Sequence, residues 1–153
     1  MGEQKVSTQT NEQELRLFTK AVLNDLHALE KMISDGMLEK EALRIGAEQE
    51  MFLVDSAMHP KSAAMQILEA ANEPRLTTEI GQFNIEANLT PLEFHGDCLR
   101  QLENELLEVV GIVRNTARTM GADVVLTGIL PTIQHSDLIL DNITPLPRYY
   151  ELN

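Results

Sequence analysis

Apolar residues change their spacing several times along the chain, and each change marks an element. From Thr10 to Asp35 the positions Leu15, Phe18, Val22, Leu26, Leu29 and Ile33 recur every three or four residues. That is one stripe of an amphipathic helix, with Gly36 as its stop signal. From Leu43 to Val54 the period falls to two. Leu43, Ile45, Ala47, Gln49, Met51 and Leu53 fall on one side of a strand, and Arg44, Gly46, Glu48, Glu50, Phe52 and Val54 on the other. Asp55 to Pro60 reads as a turn and Ser62 to Ala71 as a short helix. Two short strands follow, Leu76 to Ile80 and Phe83 to Leu89, separated at Gly81, and Pro91 ends the second. Asp97 to Met120 carries the clearest helical period. Leu99, Leu102, Leu106, Val109, Val113, Ala117 and Met120 form its expected buried stripe, with Gly121 at the C-cap. Asp123 to Leu126 predicts a short buried strand, and the tail from Ile129 to Asn153 shows little periodicity.

This succession predicts one α+β domain, an antiparallel or mixed sheet with long helices packed on one face. Residues 1–9 are polar and expected to form a flexible N-terminus, which leaves 10–153 as the domain. A chain of 153 residues is long enough for a single core.

Composition narrows the function. Hydrophobic residues at 43% and charged residues at 24% give the balance of a soluble globular protein. The net charge of -12 and the lack of any Lys/Arg cluster exclude non-specific nucleic-acid binding and disfavour anionic membranes. With no Trp and few aromatics there is no stacking platform for bases or sugars. An acidic protein that handles phosphorylated substrates needs cations to offset repulsion, so a divalent metal is expected. Cys98 is the single cysteine, which leaves no internal disulfide and no cysteine-based zinc site; it reads as a small apolar residue at a helix start. No apolar stretch near the N-terminus resembles a signal peptide, and no run approaches the roughly 18 residues of a membrane span. The chain therefore reads as cytoplasmic.

The acids carry the chemical information. Glu48 and Glu50 stand at i and i+2 in an otherwise apolar strand, so both project from one face. Glu86 repeats the pattern on another strand, and Glu79 lies seven residues before it. Unpaired charges are costly to bury, and like charges on one strand face repel unless a cation lies between them. Four carboxylates on three adjacent strands could converge on a hard divalent ion, with oxygen donors favouring Mg²⁺ or Mn²⁺. The same acids could equally line the solvated side of a half-exposed sheet. Gly46 and Gly81 beside them permit close approach of a ligand or backbone. His27, His59 and His95 show no metal-ligand spacing and read as surface or turn residues.

The segments Ile45-Gly-Ala-Glu-Gln-Glu-Met-Phe-Leu-Val-Asp55 and Leu76-Thr-Thr-Glu-Ile-Gly-Gln-Phe-Asn-Ile-Glu-Ala-Asn-Leu-Thr-Pro91 resemble the first two sequence blocks of glutamate–cysteine ligases. A third block, Gly121-Ala-Asp-Val-Val-Leu-Thr-Gly-Ile-Leu-Pro-Thr132, then Ile143-Thr-Pro and Arg148-Tyr149, resembles the strand and loop after that family's long helix. The resemblance covers about residues 42–153. It implies a glutamine-synthetase-like fold whose concave sheet face holds ATP, metal and the amino-acid substrate. Glu48, Glu50, Glu79 and Glu86 then match metal or substrate-positioning acids, and Arg148 matches a contact for a carboxylate or phosphate.

The implied reaction is ATP-dependent phosphorylation of a γ-carboxylate, followed by attack of an amine on the acyl phosphate, as in glutathione biosynthesis. Glutamate, an amine such as cysteine, and ATP with Mg²⁺ or Mn²⁺ are the implied small-molecule partners. Family catalytic domains run to several hundred residues, so the chain is expected to be the N-terminal part of one and inactive alone. Open sheet edges would then favour a homodimer or an edge-paired oligomer. The family's His-Pro pair after the third block is absent; Leu130-Pro131-Thr132 stands there, with His135 a few residues on. The other reading is a non-catalytic interaction or regulatory module that retains the half-sheet.

Overall fold

The computed structural model describes residues 11–40 and 42–151. It begins with helix α1 (Glu12–Ser34), close to the predicted bounds. A capping box starts it: Asn11 Oδ1 accepts from the Glu14 amide at 2.9 Å, and Glu14 Oε2 accepts from the Asn11 amide at 2.9 Å. Gly36, at φ +68°, lies just past its end, where the left-handed conformation favours glycine. None of its residues is buried, so the apolar stripe faces solvent and not the sheet.

The period-two stretch from 43 to 54 is broken at Gly46 and Ala47 into two strands. β1 (Arg44–Ile45) pairs with β5 (Leu92–Glu93) in a small antiparallel ribbon. β2 (Glu48–Val54) is one of the two inner strands of a four-stranded antiparallel sheet ordered β3-β4-β2-β6. β3 (Leu76–Thr78), β4 (Asn84–Asn88) and β6 (Asp123–Val125) are each shorter than their predicted segments.

Strand alternation gives this sheet two different faces. Met51 and Leu53 of β2, Ile85 and Ala87 of β4, and Val124 of β6 point to one face. There they pack on helices α2 (Ala64–Ala71) and α3 (Cys98–Thr119) through Ile67, Leu102, Val109, Val113 and Ala117. The predicted stripe of α3 holds except at its start. Leu99 is exposed, and Cys98, one position earlier, is the buried residue. Gly121 ends the α3 turn at φ +66°, and Lys61 Nζ donates to the carbonyls of Met120 and Gly121, both at 2.8 Å. Those carbonyls have no intrahelical donor, and a cation there also suits the helix dipole.

The opposite face is divided. At one end Phe52, Val54 and Phe83 bury themselves under Leu130, with Val125 and Ile133 alongside. The other end, where β2 changes from apolar residues to glutamates, has no such apolar cover.

The aperiodic tail is ordered by hydrogen bonds to the β3–β4 connection and not by a period of its own. Gln82 N donates to Asn142 O at 2.8 Å and Thr144 N to Ile80 O at 2.7 Å. Helix α4 (Pro147–Tyr150) starts with Pro147 in its first turn, where a missing amide costs nothing. Its buried Tyr149 donates to Thr78 O at 2.8 Å.

Candidate functional site

The register of the sheet places the glutamates. Glu50 of β2 lies directly opposite Glu86 of β4, and Glu48 lies opposite Asn88. On its other side Glu86 faces Thr77 of β3, and Glu79 follows two residues on. Three neighbouring strands therefore carry four carboxylates towards one end of this sheet face.

Glu48, Glu50 and Glu86 line one cleft of about 480 Å³. Leu126, Thr127 and Gly128, from the loop after β6, form its remaining wall. Glu79 does not line this cleft. It borders a second hollow of about 700 Å³, walled by Ile80, Phe83, Ile133, Leu138, Ile139 and Leu140.

Like charges opposite one another destabilise a sheet, so this face carries a real cost. Its clearest sign is Glu79. Partial burial pushes its carboxyl up from the ordinary range, and the Glu86 carboxyl and the charge of Glu50 push the same way. The amide of Ile80, donating to Glu79 Oε2 at 2.9 Å, opposes them. Asn88 Nδ2 donates to Glu86 Oε1 at 2.6 Å and so fixes one oxygen of the central acid.

Whether these residues suit a divalent ion has two parts. Their chemistry does: all are hard oxygen donors, and the strain on Glu79 is the kind that a cation relieves. Their present placement is looser, for among the described residues no three His, Cys, Asp or Glu side chains converge closely enough to hold an ion. Glu48 and Glu50 are exposed, while Glu79 and Glu86 are half-buried.

Arg148 stands apart from this cleft. It lies in α4, with its guanidinium 4.9 Å from the centre of the Tyr149 ring. Tyr149 is bonded to Thr78, one residue before Glu79, so Arg148 belongs to the β3 side of the sheet. The histidines stay outside the site: His27 is on α1, His59 in the turn after β2, His95 past β5 and His135 in a short 3-10 turn.

Sequence reasoning missed the residues that position Glu79. Thr144 is the one buried polar residue among those described. Its hydroxyl donates to Glu79 O at 2.5 Å while its amide holds Ile80 O. Gln82 Nε2 donates to the carbonyls of Asp141 and Ile143 at 2.8 and 3.0 Å. No periodicity marks these tail contacts, which join residues about sixty positions apart.

No helix of the described residues is long and apolar enough to cross a membrane. No curated protein and no solved structure matches the chain. A family model does. It spans residues 44–153, which take in both acidic strands, α3 and the tail that fastens Glu79, and its description is glutamate-cysteine ligase family 2. With more than two thirds of its length matched, the chain belongs to the glutamate-cysteine ligase family 2 (GCS2), a family of ligases.

Proposed function

We propose that the chain is the N-terminal part of an ATP-dependent carboxylate–amine ligase that forms a γ-glutamyl amide. The observation that carries this reading is the pairing of Glu50 with Glu86, flanked by Glu48 and Glu79, on the uncovered end of a sheet in a ligase family. In the proposed reaction the γ-carboxylate of glutamate attacks the terminal phosphate of ATP, and ADP leaves. The amine then attacks the acyl phosphate carbonyl, and inorganic phosphate leaves with its oxygen.

Glu48, Glu50, Glu79 and Glu86 would hold Mg²⁺ or Mn²⁺, which supplies charge neutralisation at the phosphate oxygens when bound. The protein's own share is positioning and exclusion of water. Asn88 fixes Glu86, Thr144 fixes the backbone of Glu79, and the Leu126–Gly128 loop walls the cleft. Arg148, at the β3 edge, is proposed to contact a substrate carboxylate or phosphate. Cysteine or another small amine is the acceptor, and the cytoplasm, where ATP and glutamate are plentiful, is the proposed place of action.

The test has two arms. Calorimetry with Mg²⁺ or Mn²⁺ should show weak binding that Glu86→Gln weakens further. An assay of phosphate release should require ATP, glutamate and an amine together in the ligase, and should fail with Glu50→Gln. Absence of metal binding at millimolar metal, with no effect of Glu86→Gln, refutes the metal role. The loose placement of the acids favours a second reading, a non-catalytic module that keeps the half-sheet. That reading expects no phosphate release in any assembly containing this chain.

A further inference from the structure

Helix α1 precedes the residues that the ligase family matches, and its apolar surface is left over from everything described above. Leu15, Phe18, Val22, Leu26, Leu29 and Ile33 form its stripe, each between 46% and 65% exposed. The pattern repeats after eleven residues: Leu15 with Leu26, Phe18 with Leu29, Val22 with Ile33. Eleven residues make almost three whole turns, so the stripe runs nearly straight along a helix about 34 Å long.

In proteins most helical stability comes from packing an amphipathic face and not from propensity, and α1 buries none of its residues. Local devices support it: the Asn11–Glu14 capping box and the Arg16–Glu12 and Lys31–Asp35 pairs. Such devices are worth only tenths of a kcal/mol to about one each, and none of them covers the stripe.

We propose that α1 is a dimerisation helix, whose apolar stripe docks on the same stripe of a second copy in antiparallel orientation. The sequence of the stripe supports this occupant. Read from opposite ends it nearly superposes on itself, with Leu15 across from Ile33 of the second copy, Phe18 across from Leu29 and Val22 across from Leu26. A two-fold contact needs that self-complementarity. The antiparallel arrangement also sets the two helix dipoles against each other favourably.

The area is sufficient. The six stripe residues, with Leu23 at 52% and Met32 at 38% exposure beside them, leave on the order of 700 Å² of apolar surface per copy. Two copies would bury up to roughly 1,400 Å², the scale of specific interfaces. A lipid surface is a poorer occupant, because membrane-lying helices carry a Lys/Arg-rich polar face. Here Glu12, Glu14, Asp25 and Glu30 outnumber Arg16, Lys20 and Lys31.

Sedimentation equilibrium on the whole chain at tens of micromolar should give twice the 17.1 kDa chain mass. Phe18→Glu combined with Leu26→Glu should return it to the monomer. These side chains touch no core, so the denaturation midpoint of the sheet and α3 should not move. Mixing Val22→Cys protein with Leu26→Cys protein under oxidation should trap the mixed disulfide in preference to either homodimer; the native Cys98 is buried. A monomeric wild type overturns the proposal, whether or not it binds neutral lipid vesicles. A dimer that survives the double substitution overturns it too and moves the contact elsewhere, the open sheet edges first. Homodisulfides in place of the mixed one overturn the antiparallel arrangement.

Discussion

Arg75 is the residue whose loss should be felt most widely, because it fastens the start of β3 to α3. Its guanidinium reaches Glu73 at 2.8 and 2.9 Å, Glu105 at 3.3 Å and Glu108 at 3.0 Å. The side chain is 23% exposed, and those of Glu73 and Glu105 are 13% and 15% exposed. Glu105 in turn accepts from the Thr90 amide and hydroxyl, so one cluster ties together β3, the end of β4 and α3.

The Arg75 guanidinium and amide hold the Glu73 carboxyl down from 4.5 to about 2. A fall of that size corresponds to roughly 3 kcal/mol if wholly retained. Water at the rim of the cluster removes part of it, since exposed pairs contribute about 1 kcal/mol or less and buried ones about 3 or more on breaking. Arg75→Met keeps the packing of the stem and removes the charge. It should cost about 2 kcal/mol in urea denaturation at neutral pH. A depressed carboxyl contributes stability above its ordinary value and loses it as pH falls through the folded value. The difference between wild type and Arg75→Met should therefore shrink below about pH 4.5 and nearly vanish by about pH 2. A cost under about half a kcal/mol, or one that does not change with pH, would falsify this account of the cluster.

The other expectations concern residues around the cleft and the helix end. Glu79→Gln should raise stability at neutral pH by a few tenths of a kcal/mol. A raised carboxyl favours the fold only when protonated, so that gain should disappear as pH falls below the ordinary glutamate range. In wild type added Mg²⁺ should raise the thermal midpoint, and in Glu79→Gln it should do so less; equal shifts would separate Glu79 from metal binding. Lys61→Met should cost about 1 kcal/mol by stranding the Met120 and Gly121 carbonyls, and amide exchange should quicken in the last turn of α3. Thr144→Val, nearly isosteric, should cost about 1–2 kcal/mol by leaving Glu79 O without its donor. Unchanged unfolding of either variant would show that water replaces the lost contact.

The helices and the strand parity were legible in the sequence because each rests on a local period. Glu48, Glu50, Phe52 and Val54 share one face as alternation requires, and Glu86 meets Glu50 from the neighbouring strand. What alternation could not say is how that face is divided. Phe52 and Val54 are covered by Leu130, while Glu48 and Glu50, one turn of the pleat away, stay open. The cover comes from a loop with no period of its own. For the same reason the tail shows little periodicity, although Thr144 and Tyr149 fasten it to Glu79 and Thr78.

The stripe of α1 shows the converse. Its period predicts a helix with one apolar side, and that helix forms, but a period cannot say what lies against the stripe. In α3 the same kind of pattern is buried from Leu102 to Ala117. The difference lies in connection. α3 returns directly onto the sheet through Gly121 and β6, whereas α1 is joined to β1 by the stretch from Asp35 to Leu43 and buries none of its residues. Two helices with equally good amphipathic patterns thus have different roles. One closes the core beneath the acidic strands, and the other presents about six turns of apolar stripe, for which a second copy is proposed to supply the matching half.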